Sequence, residues 1–234
     1  MTPQQRRREQ KIGEILDAAE QITLESGLDG LTIHGLAKTL DYTPGALYRY
    51  FPSKQAILAE LNSRAILGYH RLFDAVREET REVPLQPPEA SLLLLLSTSE
   101  AFIDASSRAP GAFAMISATA ADPRDLLTDD EAVHIPHLVA LLGALTATID
   151  EAVLSAAIQP GHPTHRAIAL TFGMIGILQL RKLTRFSPLL NPDPIARGLA
   201  RDLLVGWGAD AFLVDSLAEP SRAVVERVAA ASKG

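Results

Sequence analysis

Apolar residues recur every three to four positions along nearly the whole chain, the spacing of one face of a helix. Ile12, Ile15, Leu16, Ala19 and Ile22 mark a first helix, and Gly27 stands where a C-terminal cap belongs. Ile33, Leu36, Ala37 and Leu40 mark a second, short helix over 31–40, with Thr32 as its N-cap. Asp41, Tyr42 and Thr43 form a turn. Thr43 then caps a third helix whose first position is Pro44, where a missing N–H costs nothing. That helix stops before Pro52, because the residue preceding a proline is pushed out of the helical region. Leu47 and Phe51, four apart, share its core-facing side. Three short helices with a tight turn between the second and third predict a helix-turn-helix.

A long helix is expected from about Lys54 to Glu82, ended by Pro84, Pro87 and Pro88. Further prolines divide the rest into helices near 89–107, 110–120, 128–158, 164–185, 193–216 and 220–232. The chain therefore reads as all-α, with a helix-turn-helix domain over 1–54 joined by the long helix to a larger helical domain over 55–234. The 164–185 piece is apolar almost all round (Ile168, Leu170, Phe172, Met174, Ile175, Ile177, Leu178, Leu180), and Gly173 and Gly176 permit close approach. A helix apolar on every side is expected to be buried on every side. The 193–216 piece carries Ile195, Leu199, Leu203 and Trp207 as a broad stripe. An ordinary internal core helix and a face shared with a twin subunit both fit this pattern.

Composition narrows the function classes. The chain has 234 residues, 47% of them hydrophobic and 21% charged, which excludes an intrinsically disordered chain. Cysteine is absent, which removes disulfides, thiolate metal sites and cysteine nucleophiles. The longest stretch without a formal charge, Ala132–Ile149, holds two His and a Pro and falls short of the roughly 20 apolar residues a membrane span needs. No membrane association and a cytoplasmic location are expected. The net charge is −6. Residues 1–64 balance eight basic against eight acidic side chains, so residues 65–234 carry the whole excess. Within the balanced part, Arg6, Arg7, Arg8 and Lys11 cluster ahead of the first apolar periodicity. Such a cluster is either a solvated arm or a nucleic-acid contact.

The third helix has the chemistry of a groove reader. A recognition helix presents its N-terminal residues to base edges, and its unpaired N–H groups suit phosphate. Thr43 offers a hydroxyl there. Pro44, Gly45 and Ala46 are small enough for close approach and suit apolar contact with thymine methyls. Arg49 can grip a guanine with two bonds or neutralise a phosphate. Tyr48, Tyr50 and Lys54 carry polar tips suited to phosphate oxygens. Taken one at a time, the tyrosines are equally packing aromatics and Lys54 and Arg49 equally surface charges. Together, at this spacing, they favour nucleic acid.

The stretch LTIHGLAKTLDYTPGALYRYFPSKQAILAEL resembles the DNA-binding segment of the tetracycline-repressor (TetR) family of transcriptional regulators, over roughly residues 10–62. The threonine cap, the turn, TPGALYRYF and PSK all fall at the family's spacing. The resemblance implies DNA-binding positions at Thr32, His34, Thr43, Pro44, Gly45, Ala46, Tyr48, Arg49, Tyr50 and Lys54, a homodimer on palindromic double-stranded operator DNA, and a small-molecule effector. Three departures stand out. Asp41 replaces the usual glycine at a position that needs a left-handed backbone, at a cost of about 1 kcal/mol. Tyr42 replaces a smaller aliphatic residue and either packs in the core or leans towards DNA. Tyr50 stands where histidine is common.

An effector cavity is expected among the middle helices, lined by Phe102, Phe113, Met115, Ile116, Leu138, Leu142, Leu145, Ile149 and Met174, an aliphatic set suited to an apolar ligand. Each of these is equally a core residue. His134 with His137 and His162 with His165 have a spacing that suits two ligands of a transition metal, but each pair flanks a proline at a helix start, where surface histidines are common. Asp129, Asp130 and Glu131 after Thr128 suit the first turn of a capped helix better than a metal cluster. No phosphate loop, nucleophile elbow or zinc-protease motif occurs. The expectation is a regulator without catalytic residues, cofactor or metal. The rivals are an all-α enzyme or carrier with a vestigial helix-turn-helix, and a regulator governed by a metal or a protein partner.

Overall fold

A computed structural model describes residues 2–121 and 135–232, and among them every regular element is helical. The order is α1 (Pro3–Gly30), α2 (Ile33–Thr39), α3 (Pro44–Tyr48), α4 (Lys54–Arg81), α5 (Pro87–Arg108), α6 (Pro110–Ala121), α7 (Ile135–Leu154), α8 (Pro163–Leu178), α9 (Pro192–Gly206), α10 (Ala211–Ser216) and α11 (Ala218–Ala231). Short 3-10 segments at Gln179–Leu183 and Pro188–Leu190 follow α8. Two compact units emerge: residues 1–67 with 109–137, and residues 68–108 with 138–234. The helix α4 contributes residues to both.

In the first unit, Ile15, Leu16 and Ala19 of α1, Ile33, Leu36 and Ala37 of α2, and Leu47 of α3 are buried, the same positions the apolar spacing selects. α6 packs on α1 through Gly111, where a Cβ would stand 2.6 Å from the Glu20 carboxylate. α1 begins earlier than its apolar pattern, because Thr2 and Gln5 close a reciprocal capping box ahead of the first apolar turn. Gly27 takes a positive φ of 74°, breaking the helix where the cap is expected.

The second unit has α5 at its centre. Leu92, Leu93, Leu94, Leu95 and Leu96 are all buried, as are Ala101, Phe102 and Ile103. Within this one chain the helix enclosed on every side is α5. α8 buries Ala167, Leu170, Met174, Ile175 and Leu178 but leaves Ile168 and Phe172 exposed. It also ends at Leu178 rather than near 185, passing into the 3-10 segment. The expected 193–216 helix is two helices, α9 and α10. The break is a helix-terminating motif in which Ala209 donates to the Leu204 carbonyl and Gly208, at φ 96°, donates to that of Val205. α7 ends the same way, but with Ala156 in the left-handed position at φ 57° and Ala157 donating to Ala152. The expected start of the 128–158 helix lies outside the described residues, and its observed end is Leu154.

One ion pair ties α5 to α9. Arg197 donates from Nε and Nη2 to both carboxylate oxygens of Glu100, at 2.8 and 2.6 Å. Glu100 is buried while Arg197 is half open, and the hydrogen bonds to Glu100 raise the guanidinium pKa. Removing the guanidinium leaves a buried carboxylate without its partner. Arg197→Met is expected to destabilise the chain by about 2–3 kcal/mol in denaturant unfolding, and adding Glu100→Gln to recover much of that. Equal stability of Arg197→Met and wild type would show that the pair is a solvated surface contact.

Candidate nucleic-acid interface

α2 ends in a closed motif that aims α3. Tyr42 N–H donates to the Ala37 carbonyl at 2.8 Å and Asp41 N–H to that of Lys38 at 3.3 Å. This is the Schellman pattern, which requires a left-handed residue between its two bonds. Asp41 fills it at φ 54°, so the departure from glycine keeps the backbone geometry. The chain then reverses within two residues. Thr43, extended at φ −78° and ψ 149°, accepts from the Ala46 N–H at 3.2 Å, and Pro44 opens α3. Thr32 caps α2 in the same way, accepting from Gly35 N–H at 3.0 Å. Ser53, accepting from Ala56 N–H at 3.0 Å, does so for α4.

This framing sorts the candidate residues into an inner and an outer face. Leu47 and Phe51 are buried, as their spacing predicts. Thr32, His34, Thr43, Gly45, Tyr48 and Arg49 are exposed, and Pro44, Ala46, Tyr50 and Lys54 are half-buried. Tyr48 leaves half its surface open, which is no place for a packing aromatic. Tyr42 takes an intermediate course. It is half-buried, and the Lys11 ammonium from α1 lies 5.6 Å from its ring centroid. Lys11 also pairs with Glu14 at 2.7 Å; that hydrogen bond first, and the one to Tyr42 second, raise its pKa. The contact between α1 and the turn before α3 carried no sequence signal beyond the basic cluster itself.

Residues 15–61 match the family described as bacterial regulatory proteins, tetR family. The helix-turn-helix segment is thus of the tetR type. It is 29% identical over 119 residues to YobS of Bacillus subtilis (strain 168), an uncharacterized HTH-type transcriptional regulator, covering 51% of this chain. The match spans 58% of that relative's length. Among solved structures, a tetR-family regulatory protein from Rhodococcus RHA1 superposes with a TM-score of 0.63 at 18% identity, covering 85% of this chain and 97% of that one. AibR, in complex with isovaleryl coenzyme A and operator DNA, does so at 0.61 and 18% identity, covering 82% and 97%. These likenesses establish the all-α fold.

The nine candidate cavity residues divide between the units. Phe113, Met115 and Ile116 are buried in the first unit, and Phe102, Ile149 and Met174 in the second. Leu142 and Leu145 are half-buried, and the Leu138 side chain lies outside the described residues. Ile149 and Leu145 belong to the close-packed core around Leu92–Leu96. Within the second unit a cleft of about 140 Å³ opens instead among Ser99, Glu100, Ile103, Arg197, Arg201 and Asp215, none of them a predicted liner. Tyr69 is a further residue that the sequence does not mark. Its ring lies 5.1 Å from that of Phe102, its hydroxyl is buried without a hydrogen-bond partner among the described residues, and burial raises its pKa, so it stays a donor.

Of the two histidine pairs, His134 and the side chain of His137 lie outside the described residues, as do Asp129, Asp130 and Glu131. His162 and His165 stack with ring centroids 3.7 Å apart and planes 6° from parallel. The in-plane lone pairs of stacked rings run side by side instead of converging on one ion. His162 Nδ1 is moreover turned to the His165 N–H as the cap of α8. No helix among the described residues is long and apolar enough to cross a membrane.

Because Asp41 holds a conformation that glycine adopts freely, Asp41→Gly is expected to leave α2 and α3 in place and raise stability by about 0.5–1 kcal/mol. Asp41→Val, whose β-branch fits that region poorly, should lower it by more than about 1 kcal/mol. Thermal unfolding of the two variants checks the turn geometry; a stabilising Asp41→Val would refute it.

Proposed function

We propose that this chain is a DNA-binding transcriptional regulator of the tetR family: a homodimeric repressor that holds a near-palindromic double-stranded operator and releases it when a small, largely apolar ligand binds. The observation that carries the reading is α3 itself. It is capped by Thr43, anchored inward by Leu47 and Phe51, and opens Gly45, Tyr48 and Arg49 to a partner, with His34 and Thr32 on the helix before it. Small residues at the helix start admit the groove floor, while Tyr48, Tyr50 and Lys54 supply phosphate bonds around it. Lys54→Ala should therefore weaken binding to every duplex alike and reduce the salt slope by about one unit for each phosphate no longer neutralised. Arg49→Ala should relax base preference at one position. Unchanged affinity and salt dependence in Lys54→Ala would exclude this docking.

Dimerisation is supported by the outer faces of α8 and α9. Ile168, Phe172 and Gly176 fall at i, i+4 and i+8 on the exposed side of α8, and Ile195 on α9 is exposed while Leu199 and Leu203 are half-buried. Gly173 seats α8 against Leu199 of α9, whereas a Cβ on Gly176 meets nothing within 4 Å. Burying this stripe against its symmetry mate gives a self-complementary two-fold interface. Gly176→Arg leaves the subunit's own packing intact, so its expected effects are a monomer in light scattering at micromolar concentration and the loss of most operator affinity. A monomeric variant with full affinity would separate DNA binding from dimerisation and overturn this part.

The effector reading draws on the aliphatic candidates, on Tyr69 and on AibR, whose complex holds isovaleryl coenzyme A together with operator DNA. A buried hydroxyl without a partner costs about 1–3 kcal/mol, which an acceptor on a bound ligand would relieve. An effector acts only through its difference in affinity between the two DNA-binding states, and α4, shared by both units, is the element to bias. Tyr69→Phe is expected to stabilise the free chain by about 1 kcal/mol, spare operator binding, and raise the concentration of acyl-coenzyme A needed for DNA release. Release unaffected by acyl-coenzyme A and by free apolar acids would exclude a small apolar effector.

A further inference from the structure

We propose that the opening two turns of α1 form a second DNA-contacting element, in which Arg7 and Arg8 bind backbone phosphates flanking the groove that α3 enters. The proposal rests on the DNA-binding reading and adds a contact outside the helix-turn-helix. The face of α1 that packs on the other helices is apolar from Ile12 onward, with Ile15 and Ala19 fully buried. Traced back, that same face turns basic. Lys11 precedes Ile15 by one turn, and Arg8 and Arg7 lie three and four residues before Lys11. Lys11 fixes where this happens, since its ammonium sits over the ring of Tyr42, the residue immediately before the Thr43 cap of α3. The basic continuation of the stripe therefore starts beside the recognition-helix entrance and projects beyond it by about 12 Å from Lys11 to Pro3. There its residues are exposed among the described residues.

Three further observations point to a phosphate partner. Arg6, Arg7 and Arg8 are exposed and hold no ion pair among the described residues, whereas Lys11, one turn on, is held by Glu14. The segment is helical, not a loose tail, because the Thr2–Gln5 capping box closes its start, so its guanidiniums are presented at fixed spacing. Finally, this cluster stands on a chain of net charge −6, where unpaired guanidiniums gathered beside a groove-reading helix serve an anionic partner and not general solubility.

The helical geometry gives the test. Arg6 lies about 140° round the helix from Lys11, while Arg7 and Arg8 lie close to its meridian. With the full-length protein and a duplex selected from a random library, the Arg7→Ala/Arg8→Ala variant is expected to bind on the order of tenfold more weakly near 0.15 M salt. Its salt slope should fall by about two units per subunit, hence about four per dimer, equally for selected and random duplexes. Arg6→Ala should stay within about twofold of wild type, as should Arg81→Ala in the second unit. An unchanged slope and affinity in the double variant overturns the inference and leaves the helix-turn-helix reading standing. An equal loss in Arg6→Ala also overturns it, since that marks diffuse charge and not an oriented contact. A wild-type chain that binds no duplex overturns both.

Discussion

The presentation of α3 depends on one backbone constraint, the left-handed residue between α2 and α3. Two hydrogen bonds, Tyr42 to Ala37 and Asp41 to Lys38, close the end of α2 and force a positive φ at position 41. That reversal is what lets Thr43 stand extended and cap the next helix within two residues. It also decides which side of α3 faces in. Leu47 and Phe51 reach the core only because the turn is this short, and the same rotation turns Gly45, Tyr48 and Arg49 outward. A looser turn would leave the same residues on a helix with no fixed direction, and base recognition needs direction more than affinity.

The second unit follows a different logic. Its centre is α5, whose leucine run is enclosed on every side and whose single buried carboxylate, Glu100, is matched by Arg197. Two features of this unit bear on function: the apolar outer face of α8 with α9, and the Tyr69 hydroxyl beside Phe102, one of several buried polar atoms without a hydrogen-bond partner among the described residues. The first suits a twin subunit and the second a ligand acceptor. A regulator of the kind proposed needs both, because DNA symmetry demands two copies and release demands a group that gains something when the effector arrives.

Much of this was legible in the sequence, for identifiable reasons. Capping and turn chemistry are local, so Thr32, Thr43, Pro44 and Gly27 could be read directly, and so could the inward Leu47 and Phe51, whereas the left-handed Asp41 was legible only through the family resemblance. Proline starts fixed α5, α6, α8 and α9 closely. What failed was whatever depends on distant neighbours. An apolar run such as 164–178 and a leucine run such as 92–96 look alike in one dimension, and only packing shows that the second is enclosed and the first half open. The break at Trp207-Gly208 was hidden because a helical stripe continues across it. Ala156 gave no warning, since alanine rarely takes a left-handed cap. Tyr69 was illegible because a buried hydroxyl without a partner is a property of surroundings, not of residue type.

The central claim is that two copies of α3 read major-groove base edges as a symmetric pair. The most direct test is to select duplexes from a random library with the full chain and then map protection of major-groove guanine N7 atoms on the winning sequence. The account predicts an enriched near-palindrome whose two protected half-sites lie roughly 34–36 Å apart, or slightly more where the DNA is deformed, on one face of the helix. Enrichment of a single unpaired motif, protection confined to the minor groove, or no enrichment at all would contradict it.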